Sequence, residues 1–476
     1  MLWLVIALIA FIFQSATILI LEFKNPSKTV AWLFILFCFP LIGFVLYYFV
    51  AQDYKKRKNL RRKGTRLFQE MKGRLWRQAK IVRRVEEMQN PEFHHQERLF
   101  NLLTHLSESP ITGCNATKVL TNGEDTYDAI LSEMDKAKDH IHIEYYIFRS
   151  DEVGRRFKEV MIRKAREGVK IRMICDGLGS YYLKNEFIHE LKEAGIQFYF
   201  FLPPLIATID RRINYRNHRK IVVIDGTVGF LGGINVGEDY LGLYPKLGEW
   251  RDTHLQIEGD SIYFLQNTFL TDWRLASGER ISDPALFPEH NCAKNEQVQI
   301  LTSGPDQQWD AIQEMCFEAI AVAKKRVWIT SPYFIPDPSV YAALKTAAVS
   351  GVEVKIIIPY NSDSKLVHLA SLSYVEELLH AGVKFYQYTK GFIHAKVMII
   401  DDLLATVGTA NMDMRSFFYN FEMTAVLFDQ APIRRLMNDF EVDLTHCRPI
   451  HLRQFSKRSR LQKGAEMLTR MLSPLL

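Results

Sequence analysis

Residues 218–225, His218-Arg219-Lys220-Ile221-Val222-Val223-Ile224-Asp225, and residues 394–401, His394-Ala395-Lys396-Val397-Met398-Ile399-Ile400-Asp401, are one pattern written twice. Gly232-Gly233-Ile234-Asn235 follows the first copy and Gly408-Thr409-Ala410-Asn411 the second, so both fit H-x-K-x4-D-x6-G-x-x-N. A match to Lys, Asp, Gly and Asn after a given His has a chance of about one in a hundred thousand at average residue usage. Of the 14 histidines in the chain, only these two have lysine two places on. Behind each His–Lys pair runs a short apolar stretch that reads as a buried strand.

Working outward, residues 127–176 and 310–359 also share a pattern. Ala137-Lys138 before Ile141-His142-Ile143 answers Ala323-Lys324 before Val327-Trp328-Ile329, and Gly168-Val169-Lys170-Ile171 answers Gly351-Val352-Glu353-Val354. Strands alternating with amphipathic helical stretches predict an α/β fold of two lobes, packed as a pseudo-twofold pair. The polar, proline-bearing stretch at 285–297 marks their boundary, giving lobes at 111–290 and 291–448. Just before the first motif, Phe198-Tyr199-Phe200-Phe201-Leu202-Pro203-Pro204-Leu205-Ile206 reads equally well as an acyl-chain entrance or as a buried strand ending in a turn.

On a strand, residues two apart point to the same side, so His218 with Lys220, and His394 with Lys396, project together and each lobe offers half a site. Two lysines and the amides of Asn235 and Asn411 suit a phosphodiester, whose oxygens gain charge in the transition state. One neutral imidazole can attack phosphorus while the other manages the proton of the leaving and entering alcohol. A histidine in either role needs its second ring nitrogen held by an acceptor. Asp252, in Trp250-Arg251-Asp252-Thr253-His254, and Glu422, in Asn420-Phe421-Glu422, are the candidates. Asp225 and Asp401 belong to the motif and are carried as catalytic candidates, although a carboxylate at the end of an apolar strand can equally brace the fold. No ligand cluster at metal spacing is present, and neither a metal nor a cofactor is expected.

At 476 residues and 48% apolar composition, the chain can fill two cores and still supply a membrane segment. Residues 1–21 and 30–50 lack charged side chains and are each long enough to cross a bilayer, which predicts a two-helix transmembrane hairpin over 1–52. Lys55, Lys56, Arg57, Lys58, Arg61, Arg62 and Lys63 follow at once, placing both ends and the catalytic body on the cytoplasmic side. From Phe68, the apolar positions Met71, Leu75, Ala79 and Val82 recur at helical spacing among Arg74, Arg77 and Lys80. Residues 53–110 are therefore read as a basic amphipathic interfacial segment and linker that holds the body against an anionic membrane surface. Residues 449–476 repeat the theme as a basic amphipathic tail, with Arg453, Lys457, Arg458, Arg460, Lys463 and Arg470 among leucines and methionines. The six cysteines show no C-x-x-C spacing and read as free thiols of a reducing compartment.

The paired motif resembles that of the phospholipase D superfamily. The hairpin with its loop Asn25-Pro26-Ser27-Lys28-Thr29-Val30-Ala31-Trp32, Arg216-Asn217-His218-Arg219-Lys220, and Trp250-Arg251-Asp252-Thr253-His254 narrow the resemblance to the bacterial cardiolipin synthases. It implies an enzyme of the bacterial cytoplasmic membrane that moves a phosphatidyl group from one phosphatidylglycerol to another and releases glycerol. A phosphatidyl-histidine intermediate is implied, with His218 as nucleophile and His394 as acid and base; the residues themselves do not order the two. Gly233 departs from the pattern, since much of the superfamily has serine there, whereas Thr409 keeps the hydroxyl in the second copy. The alternative is a membrane-bound phospholipase D that hydrolyses phospholipid to phosphatidic acid. Nucleic acid is not an expected partner, because a membrane hairpin gives a nuclease no advantage. One chain carries both half-sites, so a homo-oligomer is permitted but not required.

Overall fold

The structure, a computed structural model, describes residues 2–22, 26–50, 73–106, 109–203, 214–243, 247–292 and 294–475. The first repeat supplies strands β1 (Thr112–Thr121), β2 (His140–Tyr145), β3 (Lys170–Asp176), β4 (Gln197–Phe201), β5 (Ile221–Ile224), β6 (Val228–Gly232), β7 (Glu249–Arg251) and β8 (Thr253–Gly259). The second supplies β9 (Glu296–Ser303), β10 (Arg326–Thr330), β11 (Phe334–Ile335), β12 (Glu353–Pro359), β13 (Lys384–Tyr388), β14 (Gly391–Ile393), β15 (Val397–Ile400), β16 (Leu404–Gly408), β17 (Met412–Asp413), β18 (Glu422–Leu427) and β19 (Cys447–Pro449).

Fifteen of these strands join in one sheet, and β11–β17 and β7–β14 form two short pairs beside it. The sheet's first half runs β1-β8-β6-β5-β2-β3-β4 and its second β9-β18-β16-β15-β10-β12-β13, with β19 added at the outer edge. The two orders correspond term by term, and the halves meet through the antiparallel pair β1–β9. Strands β2, β3 and β4 are parallel, as are β10, β12 and β13, so helices must cross back between them. The motif strands β5 and β15 lie inside each half and are buried throughout, as their unbroken apolar runs require. A single core draws Ile221, Val223 and Leu255 from the first repeat and Val397, Ile399 and Met423 from the second. The helices Ile262–Ser277 and Gln430–Thr445 pack into the same core.

The edge strand β4 takes up Phe198 and Phe201, both buried, which favours the strand reading of that stretch; residues 204–206 lie outside the described residues. The N-terminal expectation needs correction. Three helices form, α1 (Leu2–Glu22), α2 (Pro26–Cys38) and α3 (Pro40–Val50), so the second apolar run is broken at Phe39-Pro40. Proline ends a helix because it lacks the amide hydrogen and crowds the preceding turn. The rings of Trp32 and Tyr47 stand 5.4 Å apart, whereas a straight helix would separate those residues by about 22 Å. α3 therefore folds back on α2. Counted over the described residues, no helix is long and apolar enough to cross a membrane.

The segment after it also differs from expectation. Residues 51–72, with the basic cluster, lie outside the described residues, but from Gly73 onward the chain belongs to the catalytic body. Leu75 and Ala79 enter the shared core, and Val82, Val85, Met88 and Phe93 enter the core of the second lobe. Finally, Cys114 and Cys292 are joined by a disulfide across 178 residues of sequence, contrary to the free-thiol reading; Cys38, Cys175, Cys316 and Cys447 are free. No sequence spacing signals that pair, because the fold brings the start of β1 to the chain just before β9.

Candidate active site

In each repeat the histidine ends a loop that enters the buried motif strand, and a short cross-lobe pairing fixes it in place. β7 lies parallel to β14, Trp250 opposite Phe392 and Arg251 opposite Ile393. The His394 amide donates to the Arg251 carbonyl at 2.7 Å. Symmetrically, Asn217 bridges Phe421, and the His218 amide donates to the Phe421 carbonyl at 3.0 Å. Each histidine is thereby set beside the residue that follows its partner strand in the other lobe. His394 Nδ1 is 2.7 Å from Asp252 Oδ2, and His218 Nδ1 is 3.0 Å from Glu422 Oε2. The contact at β14 needs glycine at 391, since a Cβ there would sit 2.0 Å from the Glu249 carbonyl oxygen.

A carboxylate only accepts, so Nδ1–H is the donor in both couples and Nε2 is left to the cleft. Asp252 and Glu422 are buried, yet the facing imidazole and the nearby lysines more than offset that burial and hold both carboxyls below their ordinary range. Burial lowers His218 against the pull of Glu422. Burial and Lys396 together take His394 down to about 3. Lys220 and Lys396 are likewise pushed down by burial, to about 7 and about 8. Their ammonium groups donate to the carbonyls of His218 and His394, at 2.8 and 2.5 Å, which keeps each lysine on its histidine's side of the strand.

The two couples open onto one cleft of about 360 Å³. Asn235 and Asn411 line it with both histidines. Asn235 Oδ1 accepts from the Ile147 backbone amide at 3.1 Å, which orients the side-chain amide group. The half-sites are not identical. Thr409 Oγ1 donates to Glu422 at 2.5 Å, so that carboxylate serves a hydroxyl as well as His218. Its counterpart Gly233 faces Asp252, and a Cβ there would lie 2.1 Å from Oδ1.

Asp225 and Asp401 do not reach this cleft, which corrects their place among the catalytic candidates. Asp225 accepts from the amides of Lys138, Asp139 and His140, and Asp401 from those of Lys324, Lys325 and Arg326. Both adopt positive φ, 52° and 50°, in the turn after the motif strand. They tie that turn to the start of β2 or β10, a bracing role.

Sequence reasoning missed several residues of the cleft. Tyr146 stacks edge-on against His218 at 5.0 Å, and Trp250 lies 5.0 Å from His394. Arg216, Tyr333, Asp363, Asp413 and Arg415 also line the cleft. Tyr146 lies one residue beyond β2 and Tyr333 three beyond β10, positions that the repeat does not align, so spacing alone did not mark them. Arg219, pointing away from the cleft, pairs with buried Asp272 and donates to the Glu422 carbonyl at 3.2 Å, which braces that strand end.

A family described as "Cardiolipin synthase, PLD-like domain" matches residues 130–244 and 316–444, the stretches that carry the repeat. A second, "Phospholipase D-nuclease N-terminal", matches residues 2–52. A cardiolipin synthase of Halalkalibacterium halodurans is 43% identical over 465 residues, covering 96% of this chain and 91% of that protein. The major cardiolipin synthase of Bacillus subtilis is 40% identical over 465 residues, covering 96% and 95%. Among solved structures, a phosphatidylserine synthase from Haemophilus influenzae superposes with a TM-score of 0.61 over 80% of this chain and 99% of its own, at 15% identity. At that identity the likeness speaks for the fold alone.

Proposed function

This chain belongs to the PLD-like cardiolipin synthase family, and from that premise we propose that it transfers a phosphatidyl group from one phosphatidylglycerol to another and releases glycerol. It is a phosphatidyltransferase, and its product is cardiolipin. The observation that carries the finer reading is the meeting of two histidine–carboxylate couples at one cleft, each histidine with its motif lysine donating to its carbonyl just behind the lining.

His218 Nε2 attacks the phosphorus of the first lipid, and the glycerol oxygen leaves with a proton from His394. A phosphatidyl-histidine remains. His394 then takes the proton of the second lipid's glycerol hydroxyl, whose oxygen attacks phosphorus and frees His218. The order of the two histidines follows the family resemblance. An anionic phosphodiester near Lys220 and Lys396 offsets their repulsion of His394, and Asp252 stabilises its imidazolium. Asn235 and Asn411 donate to the phosphoryl oxygens as charge develops on them. Bond types are conserved, so no energy source is needed and added glycerol drives the reaction back.

The N-terminal helices support a lipid-embedded module. Phe13, Ile20, Phe37 and Ile42 are exposed on α1–α3 and Phe39 in the break between α2 and α3, while Glu22 and Lys28 form a buried pair at 3.4 Å. Lys28 Nζ lies 5.5 Å from the ring of Tyr419, close to the strand end that bears Glu422. The module thus sits beside the site, and the basic residues 55–63 support a cytoplasmic position for the body. The decisive experiment gives purified protein phosphatidylglycerol alone and identifies the products by mass. Cardiolipin and glycerol in equal amounts are expected; phosphatidic acid as main product, with acceptor alcohol abundant, replaces this reading with hydrolysis.

A further inference from the structure

The helix Arg460–Met471 is inside out. Two of its basic residues, Lys463 and Arg470, which a solvated tail would present to water, turn toward the helix Lys365–His380. Arg458, just ahead of the helix, reaches both Glu466 and Glu376, at 2.8 and 3.1 Å, and Lys463 reaches Glu376 at 3.2 Å. Arg470 donates to the Ser373 carbonyl and lies 4.4 Å over the ring of Tyr374. Glu466 is 3% exposed, whereas Leu461 is 88%, Met467 65% and Leu468 49% exposed on the outer side. A helix on a water-soluble surface has the reverse arrangement, because apolar area in water is unfavourable by about 25 cal/mol per Å².

We propose that this outer face is a second lipid-contacting surface, which inserts shallowly into an anionic bilayer and sets the mouth of the cleft against it. The inference rests on the lipid-substrate reading above. Three observations commit the face to lipid. Exposed Arg453, Lys457 and Arg460 rim it with positive charge, the complement of an acidic leaflet. The face is continuous with the N-terminal module, since Leu475, shortly after the helix, packs against the cluster of Ile18, Trp32, Leu36 and Tyr47. The helix on which it rests continues from the cleft wall, to which it gives Val367. A second copy is a poorer occupant: a stripe roughly 18 Å long falls short of the ~800 Å² per partner that a stable dimer buries.

The test uses the full-length protein in vesicles of phosphatidylglycerol and phosphatidylcholine, with an environment-sensitive dye on Leu468→Cys in a Cys38→Ser background. Blue-shifted emission quenched by shallow doxyl-labelled lipid is expected with phosphatidylglycerol present, while the same dye at exposed Glu193 stays water-like. Water-like, unquenched emission at 468 overturns the proposal, as does self-quenching between copies in place of lipid quenching. The double variant Leu461→Glu, Leu468→Glu should lower synthesis in vesicles by at least about tenfold, since the low end of the range for burying even one leucine already corresponds to that factor. The same variant should stay within about twofold of the parent in detergent micelles, as exposed substitutions generally do. An equal fall in both media overturns the membrane role. If the dye is lipid-quenched but phosphatidylglycerol yields phosphatidic acid, the reaction assignment fails and the surface assignment stands.

Discussion

Asp252, in the first lobe, holds Nδ1 of His394 in the second at 2.7 Å, although 142 residues separate them in sequence. Glu422 returns the contact to His218. Each histidine is therefore oriented by the lobe it does not belong to, and neither half-site is complete without the other.

Replacing either histidine by alanine removes a step that the other cannot supply. His218→Ala and His394→Ala should each lower turnover by at least about a thousandfold, and the double variant should be little worse, because the pair acts as a unit. Activity and thermal unfolding measured on the three proteins check this; near-normal turnover in either single variant removes the assignment.

Asp252→Asn and Glu422→Gln keep shape but replace an acceptor by a group that can present N–H to Nδ1, which favours the wrong tautomer. A loss on the order of a hundredfold or more in kcat, with little change in KM, is expected. Gly233→Ser should behave similarly, because its Cβ would meet Asp252, whereas Thr409→Ser keeps the hydroxyl and should stay close to wild type. A Gly233→Ser enzyme of full activity would show that the first half-site has room which this geometry denies.

Lys220 and Lys396 bind phosphate only while protonated, and burial takes them to about 7 and about 8. In kcat/KM, which reports the free enzyme, activity should fall as pH rises through 7 to 8. A bound phosphodiester raises both lysines, so the corresponding limb in kcat should lie at higher pH. Folding has the opposite sign: these lysines lose protons on folding, and their contribution favours the folded state progressively as pH rises from about 7 toward their ordinary value. pH–rate profiles in micelles, with urea unfolding at matched pH, separate the two effects.

Truncation should divide sharply inside the segment read from sequence as a mere positioner. A chain beginning at Gly73 keeps Leu75, Val82, Val85 and Met88 in their cores and should fold. One beginning at Glu92 loses all four, each worth about 1.5–3 kcal/mol, which approaches the whole stability of a domain. Circular dichroism and protease resistance of the two proteins test this.

The Cys114–Cys292 disulfide reports which side of the membrane the body occupies. A cytoplasmic body predicts that cells quenched rapidly with an alkylating reagent yield both cysteines alkylated, since cytosolic disulfides are kept reduced. Recovery of the intact bond would move the body to the outer side.

The sequence by itself determined the repeat, the two strands that carry the chemistry, and the pairing of His218 with Lys220 and of His394 with Lys396. These are local consequences of a period of two along a strand, legible wherever apolar runs and spacing are intact. It also nominated Asp252 and Glu422 by position, but could not say which histidine each serves. That depends on the register of β7 against β14 and of Asn217 against Phe421, contacts between segments well over a hundred residues apart. The same limit applies to the Cys114–Cys292 bond, to the fold-back of α3 on α2, and to the withdrawal of Asp225 and Asp401 into bracing turns. The tail shows it most simply: helical spacing in 460–471 reveals two faces, one polar and one apolar, but only packing on Lys365–His380 decides that the polar face points inward. Local pattern fixes which side chains share a face, and the ion pairs and burial available in the folded chain fix where that face turns.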